Sequence, residues 1–426
     1  MSIESTFTDR TPGSAALAKR AERVLPGGDT RAAGWHLPYP LALTHGERTH
    51  LFDVDGRRYL DLSNNFTSLV HGHAYPPIVA AAEQAIRGGT AWPARHDRQV
   101  TLAEILVERV ASLDQVRFCN SGTEANLLAL QVARAVTGRT KVLMASHGYH
   151  GSHEAFEAGF FDGVGGHPHW EHTITAPFGD AASWEQTLAE RGSEIAAVFL
   201  EAVMGSSGLV SAEPSFFERV IAATHAADAI FVLDVVITLR LALGGHQANL
   251  AITPDLTTMG KLIGGGFPVG GLGGRSDLMS MLDPAKGRLF HSGTFNGNPV
   301  TTAAGVVSVR DLTGDAIADM AAQAERLEQA LHESAAANGL PFSCRRIGSL
   351  LNVYFVDEPP RANLVRADAA MMARFHLAGM NHGLYFASRG LLVLSTVMTD
   401  ADIDEAVERL DGAMRDVAAE RGEIAA

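Results

Sequence analysis

Thr257-Thr258-Met259-Gly260-Lys261-Leu262-Ile263-Gly264-Gly265-Gly266 is the stretch on which the reading turns. Lys261 sits among Met259, Leu262 and Ile263 and runs into three glycines, so its amine belongs to an apolar, tightly turning segment. Desolvation there favours the neutral amine, which is a nucleophile. Upstream, Ala229-Ile230-Phe231-Val232-Leu233 is apolar throughout, as expected of a strand covered on both faces, and Asp234 ends it. A buried carboxylate without a partner is costly, so a cation beside Asp234 is expected. Each residue also has an ordinary reading. Most lysines are solvated, and Asp234 could cap a helix or pair with Arg240. The glycine run could suggest the loop of a nicotinamide-dependent oxidoreductase, but the order of strand, Gly-x-Gly-x-x-Gly and helix is missing.

Working outward, helices alternate with short apolar strands. The pattern predicts helices over 76–87, 98–112, 123–137 and 215–226, and strands over 116–119, 141–145, 195–200 and 229–233. The fold class is therefore α/β, a mostly parallel sheet with helices on both faces. Residues 14–25 predict an amphipathic helix ended by Pro26-Gly27-Gly28, and Leu51–Leu62 a hairpin around Asp55-Gly56. Beyond Asn298-Pro299, helices are predicted over about 300–311, 315–337, 367–380 and 401–419, with strands over 349–355 and 391–395. Three segments result: 1–65, an N-terminal part of a small α+β domain; 66–310, the large domain; and 311–426, the C-terminal remainder of the small domain.

The 426 residues, 46% of them hydrophobic, can bury a sizeable core. With 34 basic against 48 acidic residues the net charge is −14, which argues against nucleic acid or an anionic membrane as partner. No apolar run reaches the roughly 18 to 20 residues of a membrane span, and no basic-then-apolar leader opens the chain. Cys119 and Cys344 lie far apart without nearby metal-ligand partners, so neither a disulfide framework nor a metal site is expected. A cytoplasmic protein is predicted.

Two further stretches carry candidate chemistry. In Asn120-Ser121-Gly122-Thr123-Glu124-Ala125-Asn126 a strand gives way to a helix, where unpaired N–H groups and the helix dipole favour an anion. A plain Ser/Thr cap is the ordinary alternative. His147-Gly148-Tyr149-His150-Gly151 follows a strand at the sheet edge where ligands of open α/β folds bind. Tyr149 there could stack on an aromatic ring, or be packing detail.

Together with Asp234-Val235-Val236, Thr258-Met259-Gly260-Lys261 and His291-Ser292-Gly293-Thr294-Phe295-Asn296-Gly297-Asn298-Pro299, these stretches resemble the fold-type I, class III aminotransferases. The branch holding glutamate-1-semialdehyde aminomutase and the β-amino-acid (β-phenylalanine) aminotransferases is the most similar. The resemblance implies pyridoxal 5′-phosphate as cofactor, with Ser121, Gly122 and Thr123 around its phosphate and Tyr149 and Val236 on the two ring faces. It implies that Asp234 pairs with the pyridine nitrogen and that Lys261 forms the Schiff base and moves the proton. It also implies a homodimer with shared sites, in which Thr294 reaches the neighbouring subunit's phosphate.

Arg31 matches the arginine that meets a substrate carboxylate in this branch, and Arg389 the arginine of the β-amino-acid enzymes. A planar guanidinium suits that role. The aminomutase stretch ending Phe-Glu-x-Gly-Phe is missing, so the resemblance implies a transferase acting on a small-molecule amino donor and a keto acid such as 2-oxoglutarate or pyruvate. The aminomutase is the alternative. Three positions depart from the family pattern: Val235 for Glu, Ala202 after Glu201 for Pro, and Gly179 before Asp180 for Asn.

Overall fold

The computed structural model describes residues 2–160, 171–360 and 369–424. The chain forms two compact units, Pro76–Gly314 and Met1–Tyr75 with Asp315–Ala426.

The Pro76–Gly314 unit is built on a seven-stranded sheet in the order Gln115–Cys119, Gly270–Gly274, Leu256–Gly260, Ile230–Asp234, Ile195–Glu201, Lys141–Ala145, Thr173–Ala176. Five of these strands run parallel, while Gly270–Gly274 lies antiparallel to both of its neighbours. Every residue of Ile195–Glu201, Ile230–Asp234 and Leu256–Gly260 is buried. That explains their unbroken apolar runs, because a strand covered on both faces has no solvent side to alternate with. Parallel pairing brings Asp234 opposite Glu201 on one side and Thr258 on the other, so the polar strand ends share one edge of the sheet. Gly122–Thr137, which follows Gln115–Cys119, buries Leu128, Ala129, Val132 and Ala133 in the same core as Val142, Phe199 and Val232. A second core joins Ala82 and Ala85 of Pro76–Arg87 to Val300 and Ala303 of Pro299–Asp311.

The other unit carries a four-stranded sheet and a three-stranded one. His50–Asp53 and Arg58–Asp61 pair antiparallel about Gly56, whose φ of 79° suits the turn of the predicted hairpin. Leu384–Tyr385 then adds in parallel to Arg58–Asp61. Ser343–Ile347, Leu350–Tyr354 and Leu391–Val393 form the other sheet. Helices Ile3–Arg10, Gly314–Ala337, Ala369–Asn381 and Asp400–Ile424 flank them, and Phe7, Leu327, Phe375 and Leu410 meet in one core.

Boundaries differ from expectation in places. The predicted helix over 14–25 spans Pro12–Ala21, and Pro26–Gly28 is a separate short turn. The strand expected to 395 stops at Val393, and the last helix runs on to Ile424. Of the helix predicted from 367, the first two positions lie outside the described residues. Among the described residues no helix is long and apolar enough to cross a membrane, and no group of three or more His, Cys, Asp and Glu could hold a metal ion.

Candidate active site

Asp234 is the electrostatic centre of the sheet edge. It is 6% exposed. Its Oδ1 accepts the Val236 N–H at 3.0 Å, and its Oδ2 accepts Asn126 Nδ2 at 2.8 Å and faces His150 Nδ1 at 3.0 Å. His150 is the cation-capable partner that a buried acid calls for. Asn126 is itself fixed: its Nδ2 also donates to the His150 carbonyl at 3.0 Å, and its Oδ1 accepts Thr258 Oγ1 at 2.7 Å. The carboxyl group is thus oriented and rigid, with its partners drawn from a helix, a loop and the turn that follows its own strand.

Ser121 caps the helix Gly122–Thr137, its Oγ accepting the Glu124 N–H at 3.1 Å, and Glu124 Oε2 accepts the Asn120 N–H at 2.9 Å. Both are ordinary capping contacts, and they leave the first helical N–H groups aimed at the sheet edge. Crowding brings the candidate residues together. A Cβ on Gly122 would lie 3.1 Å from Val236, and one on Gly260 3.3 Å from the same side chain, so Val236 forms a wall between the helix start and the residue before Lys261. A Cβ on Gly151, at φ +103°, would lie 2.3 Å from Thr123 Oγ1, so only glycine lets the Tyr149 loop close on the helix start. Lys261 is half-buried with a φ of 49°, an uncommon conformation for a lysine and the kind found where geometry is imposed by function. Beyond it Gly265 is left-handed and the chain returns as Gly270–Gly274, so the glycines serve a strand reversal rather than a dinucleotide loop.

Tyr149 is 38% exposed, with its N–H donated to Glu201 Oε2 at 3.0 Å. Thr294 is exposed, in a segment tied back by Asn120 Nδ2 to Asn296 Oδ1 at 2.8 Å and by Arg117 Nη2 to the His291 carbonyl at 2.9 Å. Arg31 and Arg389 belong to the other unit, where they meet one short segment. Arg31 Nη1 donates to Asn65 Oδ1 at 2.7 Å, and the Arg389 guanidinium lies 5.7 Å from the Phe66 ring centre. Asn64, Asn65, Phe66 and Thr67 all have positive φ, from 46° to 76°. Such a run of non-glycine residues is strained, at about 1 to 2 kcal/mol each.

The sequence reading missed Asn126, His150 and Glu201 as site residues. The signal for Asn126 lay in its spacing, one helical turn beyond Thr123 and so on the same face. His150 lay within the loop motif His147–Gly151, but its partner Asp234 is 84 positions away and that of Glu201, the Tyr149 N–H, is 52 positions away, so neither pairing could be read from local spacing.

Residues 32–414 match the sequence profile of the family Aminotransferase class-III. The chain belongs to the class III aminotransferases. It is 37% identical over 410 residues to a β-phenylalanine transaminase of Variovorax paradoxus, covering 94% of this chain and 92% of that one. It is 36% identical over 408 residues to a glutamate-1-semialdehyde 2,1-aminomutase of Dichelobacter nodosus, covering 91% and 96%. The crystal structure of an ω-transaminase from Sphaerobacter thermophilus superposes with a TM-score of 0.92 at 36% identity, over 96% of this chain and 99% of that one. The fold is that of the fold-type I transaminases, and the family's cofactor is pyridoxal 5′-phosphate.

Proposed function

We propose that this enzyme transfers the amino group of a β-amino acid or related amine to a keto acid such as 2-oxoglutarate or pyruvate, with Lys261 as covalent anchor and proton carrier. The observation that carries this reading is Asp234, buried yet held by three donors, on the strand beside the one that leads into Lys261. The residues fit the cofactor. A fixed carboxylate suits a protonated ring nitrogen, a helix start suits a phosphate, and the glycine-lined Val236 offers a flat wall. Bound pyridoxal phosphate supplies an electron sink for the pair left when the amine-bearing carbon loses its proton.

In this reading Asp234 would meet the ring nitrogen and favour its protonated form, while Ser121, Gly122 and Thr123 would hold the phosphate. Tyr149 and Val236 would pack against the ring. Lys261 Nζ would take the proton from the substrate carbon and pass it to the coenzyme carbon that receives the amino group, the general acid–base role. Arg31 and Arg389 bind the substrate carboxylate, a role supported by their meeting at Asn65 and Phe66 and by the β-phenylalanine transaminase relative. The aminomutase relative keeps a second reading open, in which the amino group stays on one carbon skeleton. Supplying β-phenylalanine with and without 2-oxoglutarate tests both. Turnover that depends on the keto acid supports the transferase, and keto-acid-independent isomerisation of glutamate-1-semialdehyde supports the mutase.

A homodimer is part of the proposal. Phe290 and Phe295, 93% and 59% exposed, flank Thr294 and offer apolar surface to a second copy. Light scattering would give a mass of twice 45.2 kDa. Cys119 and Cys344 are both free, which suits a cytoplasmic setting.

A further inference from the structure

Beside Asp234 the sheet edge carries a second buried acid that the proposed chemistry does not use. Glu201 ends the strand Ile195–Glu201, is 5% exposed, and stands in register with Asp234 on the adjacent parallel strand. Its Oε2 accepts the Tyr149 N–H at 3.0 Å, and its Oε1 accepts the Gly205 N–H at 3.1 Å. The next residue after Tyr149 is His150, whose Nδ1 meets Asp234 Oδ2 at 3.0 Å and whose carbonyl accepts Asn126 Nδ2 at 3.0 Å. Two neighbouring carboxyl groups therefore grip the same short loop, Glu201 by its backbone and Asp234 by a side chain.

A neutral acceptor would serve to tie a loop. A buried acid is a costly choice for that task unless its charge is used. Burial pushes the Glu201 carboxyl up to about 7, with the charge of His150 acting against that rise and the charge of Asp234 adding to it. His150, from the loop, and Asp234, from the adjoining strand, are the titratable groups whose charges act on it.

We propose that Glu201 is a positioning residue of the coenzyme site, which holds the Tyr149–His150 loop through the Tyr149 N–H, braces that contact with the Gly205 N–H on its other oxygen, and adds a second carboxyl group beside Asp234. The second half rests on the reading that Asp234 meets the ring nitrogen of the coenzyme; the first half does not. Ionised Glu201 strengthens both backbone contacts and deepens the negative field at Asp234, so a protonated ring nitrogen is held more firmly on the alkaline side of the Glu201 titration.

The test compares wild-type enzyme with Glu201→Gln and Glu201→Ala. Hydrogen exchange at the Tyr149 and Gly205 amides is followed with and without pyridoxal phosphate, and release of pyridoxal phosphate is followed by absorbance across neutral pH. Glu201→Gln keeps the shape but can accept only one of the two N–H groups well. One amide should therefore exchange roughly tenfold faster, and the wild-type step in coenzyme release near neutrality should vanish. Glu201→Ala should accelerate exchange at both amides. Unchanged exchange in a folded Gln variant, or a coenzyme-release step that survives in it, overturns the proposal. If pyridoxal phosphate fails to bind even the wild type, the functional reading falls instead, and exchange in the coenzyme-free proteins still decides whether Glu201 holds the loop.

Discussion

Lys261 with Asp234, and Arg31 with Arg389, are two pairs built by opposite means. The first pair sits at the ends of buried parallel strands, and the acid is held by donors from three separate elements. The second pair depends on one exposed-to-buried turn, Asn64–Thr67, whose four residues are all left-handed. Regular strands give positions that many surrounding side chains enforce together, whereas a strained turn gives positions that a single substitution can release. On the proposed reading, the chemistry belongs to the sheet edge and substrate selection to the turn.

The largest expected effect comes from Lys261→Ala. It should lower kcat by roughly 10³-fold or more with β-phenylalanine as donor, and borohydride should no longer fix the coenzyme to the protein. Thermal unfolding should barely change; a large loss of stability would mean that Lys261 is structural and would break the comparison. Asp234→Ala comes next, because it strands Asn126 and His150 beside an uncharged cavity. We expect kcat to fall about 10²- to 10³-fold, together with a loss of roughly 2 to 3 kcal/mol in stability by denaturant unfolding.

Arg389→Ala sharpens the contrast. It should raise KM for acidic donors about 10- to 100-fold, from loss of a charged hydrogen bond, while sparing 1-phenylethylamine. Equal losses for both amines would remove Arg389 from the substrate pocket. Asn65→Gly separates strain from contact: it relieves a left-handed position and releases Arg31. Stability should rise by up to about 1 kcal/mol while KM for acids grows several-fold, read by calorimetry and initial rates.

The smallest expected effect is on the pH dependence of stability in the unit that holds the arginines. His376 is 3% exposed, lies 4.7 Å from the His36 ring, and among the described residues has no hydrogen-bond partner for either ring nitrogen. Burial holds its pKa well below the ordinary 6.5, with the His36 charge acting the same way. The unfolded chain therefore binds the proton first. The contribution to stability is complete above 6.5 and is lost as pH falls toward the folded value. His376→Leu should flatten the acid side of a plot of melting temperature against pH.

The strands Ile195–Glu201 and Ile230–Asp234 were legible because burial on both faces leaves an unbroken apolar run. Gly270–Gly274 was not, since four of its five residues are glycines with no strand preference of their own. Those glycines answer to neighbours far off in sequence: a Cβ on Gly270 would fall 1.9 Å from the Ser121 carbonyl oxygen. At the site, Lys261 and Asp234 stood out because local composition marks a desolvated amine and a strand-terminal acid. Asn126, His150 and Glu201 did not, because what defines them is a hydrogen bond across 108, 84 and 52 positions of chain.

Val236 has a practical consequence for anyone wishing to redesign the catalyst. Wedged against Gly122 and Gly260, it leaves almost no slack for bulk at any of the three positions, so a random library that diversifies them would consist largely of misassembled members. If the arginines bind the substrate as proposed, diversity is better invested around Asn65 and Phe66, which contact Arg31 and Arg389.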